Sequence, residues 1–182
     1  MKAIKCCFIL SFVVLISAVT AEEKTVCYES SDYLIVEGST GEVGTHFLVK
    51  YKSKENQLLV CEYKPQADDL EIRNEWAEYF MGLQGDLLIL DSGTGPDPRG
   101  LIIWDLRKQK KVYTGIYSEE AKIETGYMEF WVETGEANDE NCPQGKEWKV
   151  GGLGAAIETW VRLDFSDFEL TKSSKTRCSS RQ

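Results

Sequence analysis

The chain has 182 residues, 21 lysines and arginines against 30 aspartates and glutamates, one histidine and a net charge of −9. That length gives one ordinary domain with a buried core and leaves no room for a large multidomain enzyme. A hydrophobic content of 42% with 28% charged residues is globular rather than disordered or fibrous, and the acid excess argues against a nucleic-acid partner, because neutralising phosphates takes a basic face.

Residues 1–21 read as an export signal. Lys2 and Lys5 precede the apolar run of residues 6–16, and residues 17–21 (SAVTA) are small enough for cleavage after Ala21. The run is too short to span a membrane, which takes about 20 apolar residues. The signal carries two lysines and no acid, so its removal leaves residues 22–182, a length of 161, and moves the net charge from −9 to −11. Four cysteines stay behind: Cys27, Cys61, Cys142 and Cys178. An even count in an oxidising compartment predicts two disulfides. Three connectivities exist, and Cys27 with Cys61 and Cys142 with Cys178 close the shorter loops. The absence of a C-x-x-C spacing removes the zinc-ribbon and thioredoxin-type readings.

Downstream the pattern is mostly that of strands. Residues 33–36 (YLIV) form a short apolar run closed by Gly38. Residues 45–51 and 57–63 flank a polar stretch and predict a hairpin. Residues 68–80 place Ile72, Trp76 and Phe80 four apart behind two aspartates, which predicts a short helix. Residues 87–90 (LLIL) come after a tight turn at 84–86 and predict a strand buried on both faces. A second hairpin joins residues 101–106 to 111–113, and residues 127–133 form another strand. Residues 133–154 read as a long loop with a brief helical turn at 143–148. A third hairpin joins residues 159–165, which alternate in polarity, to 168–170. The expected fold is all-β: a single antiparallel domain over residues 22–182, a barrel or sandwich of about eight strands with at most one or two short helices.

Residues 87–100 (LLILDSGTGPDPRG) concentrate the chemistry, setting a buried strand against three glycines, two prolines, two aspartates and an arginine. As a turn, Asp91 caps the strand end, Gly93 and Gly95 take left-handed conformations, Pro96 and Pro98 stiffen the return of the chain, and Arg99 pairs with Asp91 or Asp97. A stiff polar loop of this kind is a recognition element, since it loses little entropy on binding. The candidate contacts are Asp91, Ser92, Gly93, Thr94, Asp97 and Arg99. The run Leu88 to Thr94 also resembles the hydrophobic-hydrophobic-Asp-Ser/Thr-Gly motif of the aspartic peptidases. That resemblance implies a single-lobe dimeric enzyme in which Asp91 is the catalytic acid, sharing a proton with its symmetry mate, and Ser92 orients it. Ser92-Gly93 is also similar to the Ser-Gly loop of small exported β proteins that inhibit lysozymes, although the tyrosine that comes next there is absent here.

His46, the sole histidine, reads as a solvent-facing strand residue. Glu133, Glu136, Asp139 and Glu140 read as a solvated acidic loop whose alternative role is to hold a cation in a structural envelope protein. The five tryptophans read mainly as core. Trp160 differs, because its neighbours on the same strand face are Glu158, Arg162 and Asp164, which makes it a candidate contact for a sugar or a protein. These features predict an exported binding protein of the periplasm or the extracellular space, acting on a protein or small ligand, with no resident cofactor or metal and no membrane span after cleavage.

Overall fold

The computed structural model describes residues 25–53, 58–96 and 98–182. The export-signal segment and Asp97 lie outside the described residues. Among the described residues the strands run β1 (Cys27–Glu29), β2 (Tyr33–Ser39), β3 (Thr45–Tyr51), β4 (Leu70–Ile72), β5 (Glu78–Gln84), β6 (Leu87–Ser92), β7 (Arg99–Asp105), β8 (Lys110–Glu124), β9 (Tyr127–Glu136), β10 (Gly154–Asp164) and β11 (Leu170–Arg181). One helix, α1 (Gly145–Val150), precedes β10. The all-β antiparallel expectation is met by two open sheets rather than a closed barrel. One has the order β1-β2-β3-β4, and the other runs from β5 to β11 with every strand beside its neighbours in sequence.

The run Leu87 to Leu90 explains how these sheets are layered. Successive side chains on a strand point to opposite faces, so an unbroken apolar run needs cover on both. Leu88 and Leu90 pack against Tyr33, Ile35, Phe47, Val49 and Ile72 of the first sheet. Ile89 points the other way and, with Leu101, Ile103 and Tyr117, packs against Met128, Phe130, Val161 and Leu163. The second group comes from the same seven-stranded sheet, which therefore folds over itself.

β8 makes the fold-over. Residues 110–117 pair with β7, and residues 118–124 pair with β9. At the start of the second half, between Ser118 and Lys122, the register shifts, and Glu120 takes φ 71°. A bulge of this kind bends a strand and increases its twist. The result is three layers, with β5, β6, β7 and the first half of β8 in the middle.

At the bend a buried carboxylate gathers the outer strands. The side chain of Glu158 on β10 is fully buried. It accepts hydrogen bonds from Arg177 Nε at 2.6 Å and from Arg181, both on β11. Arg181 also reaches Ser118 Oγ of β8 at 3.4 Å and Glu133 of β9 at 3.4 Å. Burial pushes the Glu158 carboxyl up, and hydrogen bonds from Ser118, Arg181 and Arg177 outweigh it, leaving its pKa below the usual carboxylate range.

The cysteines pair as the shorter loops predict, Cys27 with Cys61 and Cys142 with Cys178. Two disulfides fit an oxidising compartment.

Three expectations need correction. Residues 68–80 are not helical: β4 and the start of β5 occupy the ends of that stretch, and Ala77 at φ 52° breaks the helical path between them. The predicted strand at 57–63 has its start outside the described residues, and residues 58–63 form no strand. Their backbone bonds are local, Glu62 N–H to Val60 O and Lys64 N–H to Glu62 O, and the Lys50 ammonium draws in the carbonyls of Val60 and Glu62 at 3.2 and 2.7 Å. β3 pairs instead with β2 and β4. Among the tryptophans only Trp131 is fully buried, while Trp76 is exposed and Trp104, Trp148 and Trp160 are half-buried.

Replacing Glu158 by Gln takes the buried counter-ion from two partly buried guanidinium groups and leaves them only the more distant Glu120 and Glu133, and the expected loss is about 3 kcal/mol in denaturant unfolding. The folded-state pKa of Glu158 lies below its unfolded value, so its contribution is complete above about pH 5 and fades as pH falls through the folded pKa. The wild-type melting temperature should therefore drop on acidification more steeply than that of Glu158→Gln.

Candidate functional site

The stretch from Asn74 to Ala77 links β4 of the first sheet to β5 of the second, and its backbone is pinned at every residue. The Asn74 N–H donates to His46 Nδ1 at 2.9 Å, and its side-chain amide donates to Val43 O at 2.9 Å. Asn74 Oδ1 accepts the Glu78 N–H at 2.8 Å. The buried Glu78 carboxylate accepts both the Glu75 and the Trp76 N–H groups, at 2.8 and 2.9 Å. The Ser92 hydroxyl donates to Trp76 O at 2.7 Å, and the Gly93 N–H donates to Ala77 O at 3.1 Å. Gly44 is required beneath the turn, since a Cβ there would lie 2.4 Å from Asn74 Oδ1 and 2.6 Å from the Ala77 Cα. His46 is thus half-buried and bonded to the turn rather than facing solvent.

Ser92 and Gly93, which brace this turn, also begin the 91–100 loop, whose root is Asp91. The Asp91 carboxylate accepts from Arg99 Nε at 2.6 Å, from the Arg99 terminal nitrogen, and from the Tyr117 hydroxyl at 2.8 Å. Arg99 also donates to Gly95 O at 2.7 Å, which fixes the path inside the loop. The pair with Asp91 raises the Arg99 pKa. Burial, followed by the bond to Asp91, raises that of the Tyr117 hydroxyl. Above this root Thr94, Gly95 and Pro96 are exposed. Asp91, Gly93, Thr94 and Arg99 line an open cleft of about 400 Å³ together with Val43 and Tyr79. Of the loop residues singled out in the sequence, Asp91, Ser92, Gly93, Thr94 and Arg99 therefore converge here, and Trp160 lies elsewhere, on β10.

Side chains that the pinned backbone cannot bury stand at the same end. Trp76 is 77% exposed and Val43 is 60% exposed. Ile116, also 60% exposed, shares a row with Ser92 through Gly100, which has no side chain to fill the gap between them.

Chemically, this site offers surfaces rather than a reacting group. Both oxygens of Asp91 are engaged, one by a guanidinium nitrogen and a phenol and the other by a second guanidinium nitrogen. The Ser92 hydroxyl faces the backbone of Trp76, not Asp91. Elsewhere, Glu133 pairs with Arg181 and Asp139 with Lys146, and no group of three or more His, Cys, Asp or Glu among the described residues is arranged to hold a metal ion. No protein-family model, curated protein or solved structure matches the chain.

Sequence reasoning missed Trp76 as a site residue. Its spacing from Ile72 and Phe80 imitates a helix face, whereas the signal that opposes a helix is Asn74 with Glu78 four residues on. Asn74 caps the Glu78 N–H, and Glu78 caps the N–H groups in between. Glu78→Ala should remove two hydrogen bonds from backbone donors to a buried carboxylate and cost about 2 kcal/mol. Hydrogen exchange at Glu75 and Trp76 should accelerate by more than the global loss of stability accounts for.

Proposed function

We propose that this protein is an exported, disulfide-containing binding protein that engages a protein partner outside the cytoplasm, acting as an inhibitor or sequestering agent through the 91–100 loop and Trp76. The observation that carries this reading is Trp76 itself, an indole 77% exposed on a turn whose backbone is fixed by His46, Glu78 and Ser92. An exposed tryptophan carries a large apolar area that becomes favourable only when something covers it. Tryptophan is enriched among the few residues that dominate interface energies. Fixing its backbone beforehand removes the ordering cost that otherwise weakens binding. The Asp91 and Arg99 pair supplies the same advantage to the loop beside it.

The arrangement of Asp91 favours recognition over peptide hydrolysis. An aspartyl dyad works by sharing one proton between two facing carboxylates. Arg99 and Tyr117 already occupy the oxygens that such a partner would face. Export is supported by the two disulfides and by the signal-like composition of residues 1–21.

Immobilised protein incubated with a native secreted or envelope extract is expected to retain a partner. Trp76→Ala should weaken that partner's binding by about 30-fold, the equivalent of a 2 kcal/mol interface residue. Replacing residues 91–99 by a neutral linker should abolish capture. A partner retained equally by both variants overturns the proposal.

A further inference from the structure

The outer face of the layer formed by the second half of β8 with β9, β10 and β11 presents a different arrangement. Trp131 and Trp160 stand opposite each other on β9 and β10, with ring centroids 5.1 Å apart at 68°. Trp131 is buried, and Trp160 is half-buried. Most charges around them are spent on one another. Glu158 holds Arg177 and Arg181, Glu129 pairs with Arg162, and Glu120 accepts from Trp131 Nε1 and pairs with Arg177.

Two cations are left over. Lys122 reaches over the Trp160 ring from β8 at 5.7 Å, and Lys175 reaches it from β11 at 4.9 Å. Lys175 lies equally close to Trp131. Among the described residues neither ammonium meets a carboxylate, although the chain as a whole carries a net charge of −9. A cation resting on a ring gains less than one making a charge-assisted hydrogen bond to a carboxylate. A ligand carboxylate offers each lysine a hydrogen-bonding partner that the ring does not, and a lysine that turns to it leaves its side of the indole open.

We propose that this face binds an acidic polysaccharide, with the indole of Trp160 as the stacking surface and Lys122 and Lys175 taking the carboxylates of the ligand. The two lysines approach one ring from different strands, so they suit a ligand that runs across the sheet and carries charge at intervals. The apolar C–H face of a sugar ring covers the indole, and the opposed pair Arg162 and Thr171 beside it offers donors for sugar hydroxyls. This site is separate from Trp76 and does not depend on the reading of that surface.

The test is a titration of the protein with polygalacturonate, monitored by tryptophan fluorescence, with uncharged dextran alongside. A saturable change with polygalacturonate, suppressed by high salt and absent with dextran, is expected. The double variant Lys122→Gln with Lys175→Gln removes both ammonium groups and their ring contacts, and should bind roughly tenfold more weakly while still unfolding in a single cooperative transition. Trp160→Phe keeps a ring in place and should bind more weakly with its salt dependence unchanged. Trp76→Ala should titrate like the wild type, so the two surfaces stand or fall separately. No response to polygalacturonate, an equal response to dextran, or undiminished affinity in the double lysine variant overturns the proposal.

Discussion

A strand that opens on four successive apolar residues imposes a condition on everything around it. Leu88, Ile89 and Leu90 are all fully buried, which is possible only if both faces of β6 are covered. A seven-stranded antiparallel sheet left flat would cover neither. The chain meets the condition twice over, by packing a separate four-stranded sheet on one face and by bending the larger sheet onto the other. The bulge in β8 and the buried Glu158 cluster are consequences of the second solution. A sheet that turns back on itself brings polar backbone and charged side chains together at the crease, where each needs a partner.

The same strand reaches the surface at one end and sets up the proposed recognition site there. Asp91 and Ser92 are the last residues of β6, and they continue its two faces. Asp91 turns to Arg99 and Tyr117 on the side of the β9 and β10 layer. Ser92 turns to Trp76 on the side of the first sheet. Rigidity in the core thus passes into the loop and the adjoining turn without a break. That continuity is why a Gly- and Pro-rich segment joins a tryptophan turn from a distant part of the chain in one fixed surface.

Much of this was legible in the residues. The unbroken run at 87–90 signalled a doubly covered strand, the alternation at 159–165 gave the inner and outer faces of β10, and the spacing of the four downstream cysteines gave both disulfides. The loop contacts of Asp91 and Arg99 were implied by opposite charges flanking a short turn. The features that stayed hidden did so for physical reasons. β11 is polar along almost its whole length, because its outer edge is free and its inner partners are satisfied by backbone pairing and by Glu158 rather than by apolar packing. Its residues therefore carry no strand period. β4 is three residues long and owes its existence to β3. The exposure of Trp76 depends on tertiary bonds from His46 and Ser92, which local sequence cannot announce.

The two disulfides also divide the molecule in an uneven way. Cys27 and Cys61 lie within the first sheet and its covering segment, whereas Cys142 and Cys178 join the segment before α1 to β11. Each closes a loop of similar size, with separations of 34 and 36 residues, and each contributes about 4 kcal/mol on the chain-entropy account. Neither crosses into the middle layer, so both outer layers are stapled to themselves and the centre is held by strand pairing and by burial between them. A reducing environment therefore acts on the periphery first. It loosens the cover over β6 from outside, and because Leu88, Ile89 and Leu90 are buried only between the two flanks, a loss at either staple reaches the centre of the molecule.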